Sequence, residues 1–206
     1  MFVLLLIAAY LLGAVPFAVL IGRTLRGVDV RRSGSGNSGA MNALRTGGSF
    51  VGVTVGVLDA AKGAIAVVAG RWLLGPEAGA LAGCAAVVGH CFSPYLIATA
   101  HRLFDQGWKF ALRKTGGKGL AAGVGVLLAL AWPVAAAAAV VFALVYLIQR
   151  TDVTWPSVAG SFAATPAIWV LNRNAVITIA VFLVGVVIAV KHLPDLREAF
   201  WVEKQE

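Results

Sequence analysis

The chain has 206 residues, of which 60% are apolar and 13% are charged, and its mean hydropathy is +0.87. Soluble domains carry about 25% charged residues, so this composition excludes an ordinary soluble globule, a disordered tail and a basic nucleic-acid-binding domain. Most of the chain is predicted to face lipid. The net charge of +8 then indicates basic residues gathered in cytoplasmic loops, where Lys and Arg of membrane proteins concentrate.

Six apolar stretches are long enough for membrane helices, since a bilayer core requires about 20 residues. They are residues 2–21, 50–70, 78–100, 120–148, 153–171 and 175–190. The first lacks a basic start and a cleavage site, so we expect a retained helix rather than a signal peptide. The stretch 120–148 contains Pro133, which interrupts helical hydrogen bonding. Unbroken, it gives six crossings in total; broken at Pro133, it gives seven.

The distribution of basic residues decides between these counts. Arg and Lys cluster in the segments 23–49 and 101–118 and in the tail 191–206, whereas the connections 71–77 and 172–174 hold one Arg each. The positive-inside rule places the three basic segments in the cytoplasm and the N-terminus outside, which requires an odd number of crossings. Five crossings would also satisfy this parity. We predict an all-α, polytopic membrane bundle of about seven helices, with a cytoplasmic C-terminus and a single domain over residues 1–206.

Glycines dominate the first basic segment. They form a GxGxxG pattern at Gly34, Gly36 and Gly39. Membrane helices flank the pattern instead of a βαβ unit, which argues against a dinucleotide site. Such glycines still allow several backbone N–H groups to converge on one oxyanion. Ser35 and Asn42 add neutral donors, and Arg45 adds a guanidinium that matches phosphate. We predict an anion site; a flexible polar loop is the alternative.

The second basic segment ends in Gly116, Gly117, Lys118 and Gly119 and continues directly into an apolar helix. A helix N-terminus presents unpaired N–H groups that bind phosphate, and Lys118 would add a full charge. A nucleotide P-loop is disfavoured, because Gly119 stands where that motif requires Ser or Thr. A basic loop resting on anionic headgroups is the alternative. His192, at the end of the last apolar stretch, is predicted to lie at the same membrane face.

Charged residues also occur inside the apolar stretches. The i,i+3 spacing of Asp59 and Lys62 predicts an ion pair, because isolated charges are costly in a membrane; a role in holding the loops is the alternative. His90 is interpreted as a hydrogen-bonded structural residue, and Cys84 and Cys91 as buried free thiols. His101 has no assigned role. No His, Cys or carboxylate pair has metal-ligand spacing, so no metal is predicted.

The polar residues thus gather at one membrane face, as a phosphorylated and partly lipidic substrate requires. A transporter or channel for a phosphorylated anion is the competing interpretation, since glycine-rich breaks at helix ends are also typical of transporters. A transporter site would lie near the midplane of the bilayer with access from both sides.

The sequence also resembles a known family, the bacterial acyl-phosphate-dependent glycerol-3-phosphate acyltransferases (the PlsY family). The first motif of that family is similar to GSGNPGATNxxR and is matched from Gly34 to Arg45. The second is matched by Gly89-His90 and by the GGKG at 116–119, and the third begins at His192. Three positions depart from the pattern, with Ser38 in place of Pro, Met41 in place of Thr and Asp195 in place of Asn. Arg197 is a candidate for the displaced arginine of the third motif.

The resemblance implies a monomeric seven-helix enzyme of the bacterial inner membrane with a cytoplasmic site. It would transfer a fatty acyl group from acyl-phosphate to the 1-hydroxyl of glycerol 3-phosphate without a cofactor, coenzyme A or nucleic acid. Ser35 and His192 are the implied catalytic residues. The implied substrate-binding residues are Gly34, Gly36, Asn37, Gly39, Asn42, Arg45, Gly116, Gly117, Lys118, Gly119 and Asp195. An ionised Asp195 would repel phosphate unless Lys or Arg pairs with it, so a catalytically impaired lipid-binding relative is a further alternative.

Overall fold

A computed structural model describes residues 1–100, 105, 107–150 and 152–202, with side chains up to residue 195. His101, Arg102 and the Arg197 side chain lie outside this part of the chain. The described residues are helical and contain no strand. The helices are α1 (Phe2–Ala14), α2 (Phe17–Arg26), α3 (Ala40–Gly47), α4 (Ser49–Leu74), α5 (Pro76–Cys91), α6 (Pro94–Ile97), α7 (Trp108–Lys114), α8 (Leu120–Gln149), α9 (Thr154–Asn172) and α10 (Ala175–Val202).

Five helical stretches of the described chain are long and apolar enough to cross a membrane. They are Phe2–Arg26, Ser49–Leu74, Pro76–Ile97, Leu120–Gln149 and Ala175–Asp195. Helix α5 packs between α1, α4 and α10, and α8 packs against α4 and α9. The outward surface carries large exposed apolar side chains such as Trp72, Leu128 and Trp132. This surface is the one expected of helices that face lipid.

The first apolar stretch is long enough to cross a membrane, as predicted, over Phe2–Arg26, but its helix is interrupted. Helix α1 ends at Ala14 and α2 begins at Phe17, because Pro16 has no N–H to continue the ladder. The freed carbonyls find donors on other elements: Ala14 O accepts from Ser93 Oγ at 2.6 Å, and Val15 O accepts from Lys62 Nζ at 3.1 Å. Each irregular backbone group is thereby satisfied inside the protein, as required at membrane depth.

The stretch predicted over 78–100 is also long enough to cross a membrane, over Pro76–Ile97, but its helix is interrupted near the C-terminal end. Helix α5 stops at Cys91, and the short helix α6 restarts at Pro94. Pro94 biases the preceding residue away from helical dihedrals, and Ser93 accordingly adopts an extended conformation (φ −75°, ψ 119°). The Phe92 carbonyl accepts from Tyr10 Oη at 2.7 Å. The chain therefore turns at Phe92 and Ser93, beside the break in the first apolar stretch.

The structure confirms the predicted interruption of the stretch 120–148. Ala131, two residues before Pro133, has non-helical dihedrals (φ −165°, ψ 99°) that kink α8. The last apolar stretch is longer than predicted, because α10 continues from Ala175 past residue 190 and carries His192 and Asp195 on a helix. Cys84 and Cys91 are buried free thiols, as predicted.

Helices α4 and α8 approach so closely that their contact requires glycine. A Cβ added to Gly125 would lie 1.9 Å from Ala60 O, and one added to Gly63 would lie 2.3 Å from Ala122 O. Small residues at such crossings allow the helix backbones to touch, which is typical of membrane bundles. The reciprocal pair fixes the height of α8, and therefore of its N-terminus, relative to α4.

The predicted ion pair within α4 is present. Lys62 Nζ lies 2.8 Å from Asp59 Oδ1, and both side chains are 2% exposed. Removing one partner of a buried pair strands the other charge and costs about 3–5 kcal/mol, whereas replacing both partners is often nearly neutral. Loss of either partner alone should therefore lower the stability of the fold.

We expect Lys62→Met to lower the free energy of unfolding by about 3 kcal/mol or more, because it leaves the Asp59 carboxylate buried without its cation. The double variant Asp59→Asn/Lys62→Met should recover most of the loss. Thermal unfolding in detergent measures the stability of both variants. It can be monitored by aggregation or by thiol labelling of the buried cysteines. Arg71→Met removes an exposed cation from the same helix and is the matched control. An unchanged melting temperature for Lys62→Met would contradict the expectation.

Candidate active site

Asn42 shapes the first glycine-rich loop (the 33–39 loop). From α3, its Nδ2 donates to three main-chain carbonyls, and its Oδ1 accepts from the Ser35 N–H at 3.0 Å. The three acceptors are Val30 O at 2.7 Å, Ser33 O at 3.1 Å and Asn37 O at 2.9 Å. Gly34 and Gly36 take positive φ values of 59° and 69° inside this turn, which glycine adopts without a Cβ penalty. The loop is thus wrapped around one buried amide.

A short 3₁₀ turn over Val30–Arg32 precedes the 33–39 loop. Asp29 caps the turn by accepting from the Arg31 N–H at 3.1 Å, and its carboxylate also pairs with the Arg31 and Arg23 side chains. The hydrogen bonds from the Arg31 side chain hold the pKa of Asp29 well below its usual range. Asp29 therefore remains ionised and stabilises the conformation of the 3₁₀ turn that leads into the 33–39 loop.

The second glycine-rich loop (the 115–119 loop) is fastened to the end of α5. The Gly117 N–H donates to His90 O at 3.0 Å, and the Thr115 carbonyl accepts from the Ser93 N–H at 2.8 Å. Gly119 adopts a left-handed conformation (φ 89°, ψ −11°) and caps α8. The loop therefore leads directly into α8, and the first N–H groups of α8 point toward the loop.

The two loops meet. Asn37 Nδ2 donates to Gly116 O at 3.2 Å in a buried contact, and Lys114 Nζ donates to Arg31 O. A Cβ on Gly39 would lie only 3.8 Å from Gly117 Cα. Burial and the nearby Arg31 charge both lower the pKa of Lys114, since desolvation and a like charge each disfavour its protonated form. Two segments far apart in sequence therefore form one surface.

Helix α10 contributes the third part of the candidate site, after the two glycine-rich loops. Lys118 Nζ pairs with Asp195 Oδ2, and Arg113 Nη2 lies 2.9 Å from Asp195 Oδ1. His192 is 1% exposed, and its Nδ1 donates to Ile188 O at 2.8 Å. That bond leaves Nε2 as the nitrogen with the lone pair in the neutral ring. The carboxylate at position 195 is therefore neutralised by two cations, which is the pairing that a phosphate site requires there.

Two predicted residues lie on the exposed side of this network. Ser35 is exposed in the 33–39 loop, and its Oγ accepts from the Asn37 N–H at 3.5 Å. Arg45 lies in the last turn of α3 and is also exposed. Among the described residues, Arg45 makes no ion pair. The structure thus joins Asn37 to Gly116 and Lys118 to Asp195 of α10 by direct contacts, and it leaves the side chains of Ser35 and Arg45 accessible.

Sequence reasoning missed Lys191. This lysine is 2% exposed, and its Nζ donates to Leu112 O and, at 3.0 Å, to Thr115 Oγ1. It also lies 5.2 Å from the centre of the Phe92 ring. Lys191 thereby fastens α10 to the start of the 115–119 loop. The available signal was a lysine directly after a long apolar stretch, where a buried cation needs partners.

An apolar groove of about 500 Å³ opens between α8, α9 and α10. It runs from Leu120, next to the 115–119 loop, along α8 to Phe142. Ile188, one helical turn before His192, also lines it. Small residues such as Gly123 and Ala139 form part of the wall on α8. The groove therefore connects the polar site with the apolar interior of the bundle.

Comparison with known proteins agrees with this arrangement. A family model described as glycerol-3-phosphate acyltransferase matches residues 3–201. A relative named glycerol-3-phosphate acyltransferase, from Jannaschia sp. strain CCS1, is 42% identical over 169 residues, which cover 82% of this chain and 75% of that protein. This chain belongs to the glycerol-3-phosphate acyltransferase family.

Two solved structures of the family superpose on almost the whole chain. Both are crystal structures of PlsY, described as an integral membrane glycerol 3-phosphate acyltransferase. Its glycerol 3-phosphate form matches with a TM-score of 0.81 and 29% identity, covering 97% of this chain and 92% of that one. Its lysophosphatidic acid form matches with a TM-score of 0.79 and 28% identity, covering 97% and 91%. The family resemblance inferred from the motifs is confirmed, and the chain is an integral membrane acyltransferase of phospholipid synthesis.

Proposed function

We propose that this acyltransferase moves a fatty acyl group from acyl-phosphate to the 1-hydroxyl of glycerol 3-phosphate. The products would be lysophosphatidic acid and inorganic phosphate. In the reaction, the hydroxyl oxygen bonds to the acyl carbon and the carbon–oxygen bond to the leaving phosphate breaks. The observation that carries the proposal is the union of the two glycine-rich loops with Lys118 and Asp195 at the mouth of the apolar groove.

The acyl tail of the donor would occupy the groove between α8, α9 and α10. Leu120 lies at the end next to Gly119, so a tail in the groove places the acyl-phosphate head at the N-terminus of α8. Backbone N–H groups there, and in the 33–39 loop with Gly34, Gly36 and Gly39, would hold the phosphate, because helix N-termini and glycine turns favour oxyanions. Neutralising this phosphate makes it a better leaving group.

Lys118 and Arg45 would bind the phosphate of glycerol 3-phosphate. Lys118 and Arg113 both pair with the Asp195 carboxylate, and Lys118 brings its positive charge to the start of α8, where a substrate phosphate would lie. Exposed Arg45 could close on the same phosphate from the side of α3. Holding both substrates in one geometry supplies a large part of the rate acceleration, and fixed positive charge supplies much of the rest. Asn42 acts in this proposal by shaping the loop, and Ser35 by donating a hydrogen bond.

The hydroxyl proton has two candidate acceptors. One is His192 Nε2, which is set up as a base because Nδ1 donates to Ile188 O. The other is an oxygen of a substrate phosphate: the donor phosphate would leave with the proton, and the phosphate of glycerol 3-phosphate would retain it in lysophosphatidic acid until it is lost to water. Both routes balance the proton without a cofactor.

We expect His192→Gln to lower kcat by about 100-fold if His192 is the base, since general base catalysis contributes about 10²–10⁴-fold. Gln retains a polar side chain but has no basic nitrogen. Steady-state kinetics from pH 6 to 8 measure the effect. A full kcat across this range would remove His192 from the proton transfer and leave the substrate phosphate as acceptor.

The topology we propose has about seven crossings, with the N-terminus outside and the site at the cytoplasmic face of a bacterial inner membrane. The kink at Ala131 divides α8 into two crossings, and α9 supplies another. This count places the basic segments on one side, in agreement with the positive-inside rule. We further propose that the monomer is the active unit.

The decisive experiment combines purified protein with acyl-phosphate and glycerol 3-phosphate in nanodiscs. We expect equal amounts of inorganic phosphate and lysophosphatidic acid, and no product when acyl-CoA replaces acyl-phosphate. Absence of both products would contradict the proposal and favour a catalytically impaired relative. A flux assay in liposomes with labelled glycerol 3-phosphate tests the transporter alternative; we expect no flux.

A further inference from the structure

His90 lies between the buried charges of α4 and the 115–119 loop. Its imidazole is buried, and Nδ1 is 3.5 Å from Asp59 Oδ1. The same carboxylate oxygen is 2.8 Å from Lys62 Nζ, which in turn donates to Val15 O. Lys62 of the same helix, itself fixed by the break between α1 and α2, therefore holds the carboxylate that faces one edge of the ring. A ring with a fixed neighbour on one nitrogen has a fixed orientation.

The opposite edge of the ring presses on Gly117. A Cβ added to Gly117 would lie 2.0 Å from His90 Nε2 and 2.5 Å from Cε1, far inside any permitted contact. The His90 main chain holds the same residue, since its carbonyl accepts the Gly117 N–H at 3.0 Å. Residue 90 thus fixes Gly117 twice, once through its carbonyl and once through its ring.

We propose that His90 is a positioning residue for the substrate-phosphate loop. Asp59 orients the imidazole, the imidazole sets the height of the Gly117 main chain, and Gly117 places the adjacent Lys118 ammonium and the first N–H groups of α8. The inference rests on the proposed binding of substrate phosphate by the 115–119 loop. It assigns to His90 and Asp59 a role that requires no contact of either side chain with substrate.

The proposal predicts rescue of one damaging substitution by another. Gly117→Ala should lower kcat/KM for glycerol 3-phosphate by about 100-fold, because its Cβ collides with the ring. His90→Asn retains an amide at the place of Nδ1, beside Asp59, and removes the atoms that touch Gly117. The double variant should then recover about tenfold or more over Gly117→Ala, a coupling within the range seen for residues in contact. His90→Asn alone should raise KM for glycerol 3-phosphate more than it lowers kcat.

Two matched variants separate this mechanism from general repair of the fold. His90→Gln restores an amide near the place of Nε2, so it should not rescue Gly117→Ala. Gly116→Ala would bring its Cβ within 2.3 Å of His90 O and 2.4 Å of Cys91 O. Those are main-chain atoms, so His90→Asn should not rescue Gly116→Ala either. Melting temperatures in detergent accompany every kinetic measurement.

The proposal is overturned if the double variant is no better than Gly117→Ala, or if His90→Asn leaves KM unchanged. If His90→Asn does not accumulate as folded protein, His90→Ala replaces it in the single and double variants, because it also removes the ring atoms that touch Gly117. Failure of the proposed function is a different result, because the wild-type protein would then form no lysophosphatidic acid from acyl-phosphate.

Discussion

Replacing Lys118 by methionine is expected to lower kcat by about 100- to 1000-fold, the loss typical of removing one fixed group that stabilises charge in a transition state. Methionine keeps the length of the side chain and removes its charge. The Asp195 carboxylate then loses one of its two cations, so the site has one positive charge fewer near the phosphate. Initial rates at saturating donor and acceptor measure the loss.

The ion pair with Asp195 provides an internal check of this explanation. In the Lys118→Met background, Asp195→Asn removes the carboxylate that would repel the substrate phosphate once its Lys118 partner is gone, so we expect part of the rate to return. Arg26→Met removes an exposed cation at the end of α2 and is the control. A rate for Lys118→Met within about threefold of wild type would contradict electrostatic stabilisation by this lysine, because such stabilisation is usually the largest single contribution.

Filling part of the apolar groove is expected to change donor selectivity. Ala139 lines the groove one turn before Phe142, so Ala139→Phe should exclude the end of a long acyl tail. If about four methylenes leave the groove, at about 0.8 kcal/mol each, kcat/KM for palmitoyl-phosphate falls by on the order of 100-fold. Decanoyl-phosphate has fewer methylenes in the groove to be displaced, so its kcat/KM should fall less.

The control for this variant lies two residues away. Ala137 is exposed on the same helix and is not among the residues that line the groove, so Ala137→Phe should leave both donors unaffected. Competition between the two donors in one reaction, with the products separated by mass, measures the ratio directly. An equal loss for both chain lengths would show that the groove does not hold the acyl tail.

The sequence predicted the parts of the fold that depend on local chemistry. The apolar stretches, the interruption near Pro133 and the ion pair of Asp59 and Lys62 follow from helix length, proline geometry and the cost of buried charge. The break at Pro16 was missed because the composition of residues 2–21 is uniformly apolar. Whether proline breaks or only kinks a helix depends on donors such as Ser93 and Lys62, which come from other helices.

In the candidate site, too, the sequence predicted the residues that lie in local patterns and missed the contacts between distant segments. The glycine-rich loops, Lys118 and His192 were predicted because each lies in a conspicuous local pattern. The buried contacts that unite them were not: Asn37 to Gly116, and Lys191 to the start of the 115–119 loop, join residues 79 and 76 positions apart. Such pairings depend on the packing of α5 and α10, and no local pattern specifies them.

The interruptions at Pro16 and at Phe92–Ser93 have a joint consequence. Tyr10 of α1 donates to Phe92 O, and Ser93 donates to Ala14 O, so each interrupted stretch supplies the donor for a carbonyl at the interruption of the other. Straightening either helix alone would leave an amide oxygen without a partner in hydrocarbon. These positions are consequently constrained as a unit: a homologue that loses one interruption should have lost the other, and sequence drift here should proceed by paired changes.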